Sequence, residues 1–119
     1  MARILIAEDD DMDRVLLGSI LEGTGHDIYY AADGKQALAI YSERIIDVVV
    51  TDIHMPHGDG LNFITSLAAL FPSAPIIAVS GKGEELLNQA IAKGARAALS
   101  KPVDPQVLLE AIAAALPDG

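Results

Sequence analysis

Short apolar runs and helix-period patterns alternate along the whole chain. Five runs predict buried strands: Arg3–Ala7, Asp27–Ala31, Asp47–Thr51, Pro75–Ser80 and Arg96–Ser100. Two of them contain unbroken apolar stretches, Val48-Val49-Val50 and Ile76-Ile77-Ala78-Val79, with several β-branched residues. A strand alternates in polarity when one of its faces is wet, and loses that alternation when both faces are covered, as in a parallel sheet.

The segments between the runs are long enough for helices and carry their punctuation. Asp104-Pro105 supplies an N-cap and a proline at the first helical position, after which Leu108, Ala111, Ile112 and Ala115 mark one face. Asp33 and Gln36 have capping-box spacing, ahead of an inner face of Leu38, Tyr41 and Ile45. Asp59 is placed to cap a helix whose inner face is Ile64, Leu67, Ala68 and Phe71, stopped by Pro72; Gly23 and Gly94 suit helix ends. No repeat, linker or low-complexity tract interrupts the alternation. The predicted fold is therefore α/β: one domain over residues 1–119, a doubly wound five-stranded parallel sheet, (βα)₅ and flavodoxin-like, with helices on both faces.

In such sheets ligands bind beyond the carboxyl ends of the strands, near the reversal of strand order. The strand ends carry specific chemistry. Strand one runs into Glu8 and Asp9, strand three into Asp52, strand four ends at Ser80, and strand five precedes Lys101. Crowded carboxylates repel one another unless a cation neutralises them. Magnesium suits the arrangement, because it takes oxygen ligands, keeps waters, and pairs one or two carboxylates with a phosphate. Lys101 would balance charge on an incoming phosphoryl group, Ser80 would donate a hydrogen bond to it, and Asp52 would be the carboxylate nucleophile.

Charge agrees with this and narrows the alternatives. The net charge is −9, and five of the 17 acidic residues fall between Glu8 and Asp13. The eight Lys and Arg are scattered and the only aromatics are three Tyr and two Phe. A direct nucleic-acid partner is not expected, since duplex binding needs clustered cations to replace counterions. The apolar stretch after Arg3 ends at Glu8, well short of the roughly 7–15 residues of a secretory core or the ~20 of a membrane span. With no cysteine there is no disulfide framework or thiolate chemistry. A soluble cytoplasmic protein without a membrane partner is expected.

The chain resembles the response-regulator receiver domains of two-component signalling over essentially its whole length. The matching stretches are Ile4–Asp10, Val48–Gly60, Val79–Gly81 and Gly94–Pro102. An acidic pair after strand one, an aspartate before x-x-Met-Pro, a hydroxyl residue ending strand four and a Lys-Pro pair after strand five occur in order. The resemblance implies that Asp52 is the phosphoacceptor and that Asp9 and Asp52 ligate Mg2+ directly. It implies that Glu8 acts on the ion through water, and that the backbone carbonyl of His54 completes the protein ligands. It implies phosphoryl contacts from Ser80 and Lys101 and a cis bond before Pro102. The donor would be a phosphohistidine on a histidine kinase or a histidine phosphotransfer protein, and the output a downstream protein target or a fused output domain. Such a domain is a switch rather than an enzyme in the usual sense.

Other readings are weaker. Asp10, Asp11 and Asp13 read as a solvated acidic first turn that favours the helix dipole. Asp9-x-Asp11-x-Asp13 begins like a calcium loop, but the glycine and the twelfth-place glutamate are replaced by Arg14 and Ile20. His54 and His57 suggest zinc only weakly, and Ser80-Gly81-Lys82-Gly83 lacks Walker spacing. A phosphatase of the haloacid-dehalogenase type would want a second aspartate where His54 stands. A receiver-like adaptor that no longer accepts phosphate is the runner-up. His54 and Lys82 stand where side chains can crowd or aid an attacking water. Two departures from the family pattern stand out. Ala98 occupies the strand-five position where receivers usually carry a switching Tyr or Phe, and Val103 follows Pro102 where Phe is common. The end at Gly119 suits either a stand-alone regulator or a receiver from a longer protein.

Overall fold

The three central apolar runs become strands whose two sets of alternate side chains are both covered, while the edge runs are only partly buried. The computed structural model describes residues 2–55, 60–81 and 83–116, and among them five strands alternate with five helices. The strands are β1 (Arg3–Ala7), β2 (Asp27–Ala31), β3 (Val48–Asp52), β4 (Ile76–Ser80) and β5 (Ala97–Ser100). They form one parallel sheet in the order β2-β1-β3-β4-β5. The helices are α1 (Asp11–Leu21), α2 (Gly34–Glu43), α3 (Gly60–Leu70), α4 (Glu84–Lys93) and α5 (Pro105–Ala115).

One face of the sheet, with Leu5, Val49, Ile76 and Ala78, packs against Ala37 of α2, Phe63, Ile64 and Leu67 of α3, and Ala90 of α4. The other face, with Ile4, Ile6, Val48, Val50, Ile77 and Val79, packs against Leu17 and Leu21 of α1 and Leu108, Ile112 and Ala115 of α5. β3 and β4 are buried at every residue, which is why their sequences are not amphipathic. The doubly wound fold is as expected.

Two of the predicted N-caps form. Asp104 accepts from the backbone N–H groups of Gln106 and Val107 at 2.8 and 3.3 Å. Asp33 accepts from Gln36 at 2.7 Å, while Gln36 reaches back one residue further than a standard capping box, to the N–H of Ala32. Gly23 lies beyond α1 with φ +79° and Gly94 beyond α4 with φ +129°, a region open to glycine because it lacks a Cβ. Asp59, expected to cap α3, lies outside the described residues, as do His57 and Lys82.

Some boundaries differ from expectation. Asp52 is the last residue of β3 rather than the first beyond it. β4 begins at Ile76, one residue after Pro75, which has no N–H to give the ladder but accepts from Val49 at 2.9 Å. α2 stops at Glu43, so Ile45 falls outside the helix and is 71% exposed, and Ile46 is the residue that enters the core. Among the described residues no helix is long and apolar enough to cross a membrane.

Candidate functional site

The strand order reverses between β1 and β3, which lie side by side although β2 comes between them in sequence. Their register pairs Ile6 with Val50 and Ala7 with Thr51. One step further toward the carboxyl edge, Glu8 and Asp52 stand next to each other, with Asp9 following. Carboxylate oxygens of Glu8, Asp9 and Asp52 all lie within 4.8 Å of one another. Glu8 is wholly buried, Asp52 is 5% exposed and Asp9 is half-buried. Ser80, at the end of β4, is also wholly buried, and its carbonyl accepts the backbone N–H of Lys101 at 2.8 Å. The peptide between Lys101 and Pro102 is cis, as expected.

Lys101 joins these groups. Its Nζ lies 3.0 Å from Glu8 Oε2, 2.8 Å from Asp13 Oδ2 and 3.6 Å from Asp52 Oδ2. An ammonium has three donors, and three carboxylates face this one. Its pKa moves up, because the hydrogen bonds and charges of Asp13, Glu8 and Asp52 outweigh the loss of solvent that would lower it. Glu8 moves the opposite way from a usual ion-paired carboxylate, up to about 7. Burial is the largest cause and the Asp52 charge adds to it, while the hydrogen bonds from Lys101 and from the Asp10 N–H, at 3.2 Å, oppose the rise. A buried acid costs more to ionise than one cation recovers.

Backbone geometry tightens the pocket. The N–H of His54 donates to Asp52 Oδ1 at 3.2 Å, which puts the His54 peptide beside the carboxylate. Arg14 holds the Glu8 carbonyl at 3.0 Å. Gly60, the first residue of α3, donates to the Ile53 carbonyl at 2.7 Å, and a Cβ built on it would meet the Asp52 carbonyl at 2.0 Å. Only glycine lets α3 approach the end of β3 this closely.

The expected residues Glu8, Asp9, Asp52 and Lys101 are therefore gathered, with Ser80 on the neighbouring strand end. Two residues enter that strand-end chemistry did not single out. Gly60 carried a signal, a glycine following β3 within the matching stretch. Asp13 carried a misleading one: expected as a solvated charge of the α1 first turn, it instead makes the shortest of the three Lys101 contacts. Ala98 lies on β5 against the core face shared with α4, and borders a recess of about 360 Å³ with Leu87 and Ile91. A larger recess, about 610 Å³, opens at the amino ends of the strands beside Asp47, Pro75 and Arg96. It is remote from the carboxylates, so size does not locate the chemistry.

The donor set is all oxygen, clustered and partly dehydrated, which fits a hard divalent cation such as magnesium rather than zinc. Glu8, Asp9 and Asp52 are the side chains that would hold it.

Comparison with known proteins agrees with this architecture. The family model described as the response regulator receiver domain matches residues 4–113. The chemotaxis protein CheY of Thermotoga maritima is 32% identical over 112 residues, which cover 92% of this chain and 93% of the relative. The sensory/regulatory protein RpfC of Xanthomonas campestris pv. campestris is 32% identical over 116 residues, 93% of this chain but 16% of that protein. The solution structure of the beryllofluoride-activated NtrC4 receiver domain dimer matches with a TM-score of 0.89 at 32% identity, covering 98% of this chain and 97% of that one. With strand order, carboxyl-edge chemistry and sequence in agreement, the chain belongs to the response regulator receiver domains of two-component systems.

Proposed function

We propose that Asp52 accepts a phosphoryl group from a phosphohistidine on a histidine kinase or a histidine phosphotransfer protein. A downstream protein contact or a fused output domain would then read the state of Asp52. The observation that carries this reading is the buried Asp52 carboxylate at the switch point, sharing one lysine with Glu8.

Glu8, Asp9, Asp52 and the His54 carbonyl would hold Mg2+, which when bound supplies charge neutralisation at the phosphoryl oxygens. An Asp52 oxygen attacks phosphorus, the P–N bond of the donor breaks, and its electron pair returns to the imidazole. Lys101 offers its ammonium to a phosphoryl oxygen, and Ser80 donates a hydrogen bond from the end of β4. These are positioning and electrostatic effects, which carry most of the catalysis in phosphoryl transfer. Ala98 has no side-chain torsion to rotate, so the signal would leave through backbone shifts around Ser80 and α4 or through a partner.

Incubation with Mg2+ and acetyl phosphate, followed by intact mass, tests the reading. A phosphoryl adduct on the wild type that is absent in Asp52→Asn is expected. No adduct on folded wild type would overturn it in favour of a phosphate-independent adaptor of the same fold.

A further inference from the structure

Among the described residues, Asp13 is the one carboxylate paired with Lys101 that lies outside the cation-holding group. Among the described residues that group comprises Glu8, Asp9 and Asp52, yet Asp13 Oδ2 makes the closest contact with the ammonium, at 2.8 Å against 3.0 Å for Glu8 and 3.6 Å for Asp52. Its place is set by the backbone: Asp10 caps α1 by accepting the Asp13 N–H at 2.8 Å. The side chain of Lys101 is 20% exposed and that of Asp13 37%, so the pair lies on the solvent side of the buried Glu8 and Asp52.

We propose that Asp13 is a positioning residue that holds the Lys101 ammonium in the resting site and so sets how readily a phosphoryl group is taken up at Asp52. The inference rests on reading Asp52 as the phosphoacceptor. The ammonium is hydrogen-bonded to Asp13 and Glu8 and faces Asp52 at 3.6 Å. An incoming phosphoryl oxygen must draw it out of this arrangement. Glu8 and Asp52 can give up their share of it, because a bound divalent cation compensates their charge. Asp13 has no such compensation and loses its ion pair to water. Its hold on Lys101 therefore competes with the phosphoryl group, and its own negative charge adds repulsion toward the arriving anion. Asp13→Asn keeps the shape and removes both effects, whereas Asp13→Glu keeps the charge.

The test measures the beryllofluoride concentration for half-maximal adduct in the presence of Mg2+, for wild type, Asp13→Asn and Asp13→Glu. A parallel measurement follows solvent exchange of the Lys101 ammonium protons by heteronuclear NMR without the mimic. Expected for Asp13→Asn are a fall of about threefold to tenfold in the half-maximal concentration and faster ammonium exchange, with Asp13→Glu close to wild type. An unchanged or raised concentration in Asp13→Asn, with the wild type forming adduct, overturns this inference and leaves the phosphoacceptor reading standing. A lowered concentration with unchanged ammonium exchange also overturns it, since the effect would then be bulk charge. Absence of adduct in every folded variant overturns both readings together.

Discussion

Raising the pH through neutrality should destabilise the metal-free protein, and Glu8 should be the cause. Its carboxyl is wholly buried, with the Lys101 ammonium at 3.0 Å and Asp52 and Asp9 as its acidic neighbours. Burial, reinforced by Asp52, moves it from 4.5 in the ordinary state to about 7 in the fold. A group whose pKa rises on folding binds its proton more tightly in the native state. For an acid, the native state is then penalised by ionisation. The penalty is absent below the unfolded value, grows between the two, and is complete above about 7. The shift from 4.5 to about 7 spans roughly 2.5 units, or about 3 kcal/mol at ~1.36 kcal/mol per unit. About 2 kcal/mol of it falls between roughly pH 5.5 and 8, since the unfolded carboxyl is already mostly ionised at the lower limit. Lys101 does not interfere. Its raised pKa contributes stability that is fully present up to its ordinary value of 10.5 and is lost only as the pH rises through its still higher folded value.

The assay is urea unfolding at about pH 5.5 and 8 in a chelator, for wild type and Glu8→Gln, because other titrating groups cancel between the two. The wild type should lose about 2 kcal/mol more than Glu8→Gln over this interval. Magnesium should recover much of that loss at the higher pH, and its binding near neutrality should release protons, as metal binding to a protonated ligand does. Parallel pH dependences for the two proteins would refute the reasoning: Glu8 would then ionise as easily in the fold as outside it, and the pocket would be wetter than its geometry indicates.

Gly60→Ala should cost about 1–3 kcal/mol by chemical denaturation and also weaken Mg2+ binding, because a Cβ 2.0 Å from the Asp52 carbonyl must displace the backbone that carries the carboxylate. A stable variant with unchanged ion affinity would mean that α3 can retreat without moving Asp52. Asp104→Ala should cost about 1 kcal/mol in urea and leave phosphoryl uptake unaltered, since Asp104 caps α5 through Gln106 and Val107. A smaller loss would mean that water replaces the cap.

Sheet topology and strand-end residues were legible in the sequence because their signals are local. Unbroken runs such as Val48–Val50 mark strands covered on both faces, and the polar residue that ends each run marks the carboxyl edge. Asp33 and Asp104 were legible as caps for the same reason: the N–H groups they accept lie within three residues. The inner face of α2 was legible only in part. Extending its period from Leu38 and Tyr41 to Ile45 continues a helix that ends at Glu43, and beyond that end the chain turns so that Ile46 is buried instead.

Asp13 shows where local signals stop. Its neighbours Asp10 and Asp11 suit a solvated first turn, and Asp11 does face outward, paired with Arg14. Nothing nearby separates Asp13 from them, because its partner Lys101 is 88 positions away. The layering of the fold supplies the missing step. α1 and α5 cover the same face of the sheet. α1 therefore begins above the carboxyl end of β1 on the side where the chain leaves β5 for α5, and Lys101 opens that connection. The first-turn side chain directed at this connection meets the ammonium, and the other two remain in water. Once the layers are assigned, the pairing follows from topology, and the proposal that Asp13 restrains Lys101 follows from the pairing.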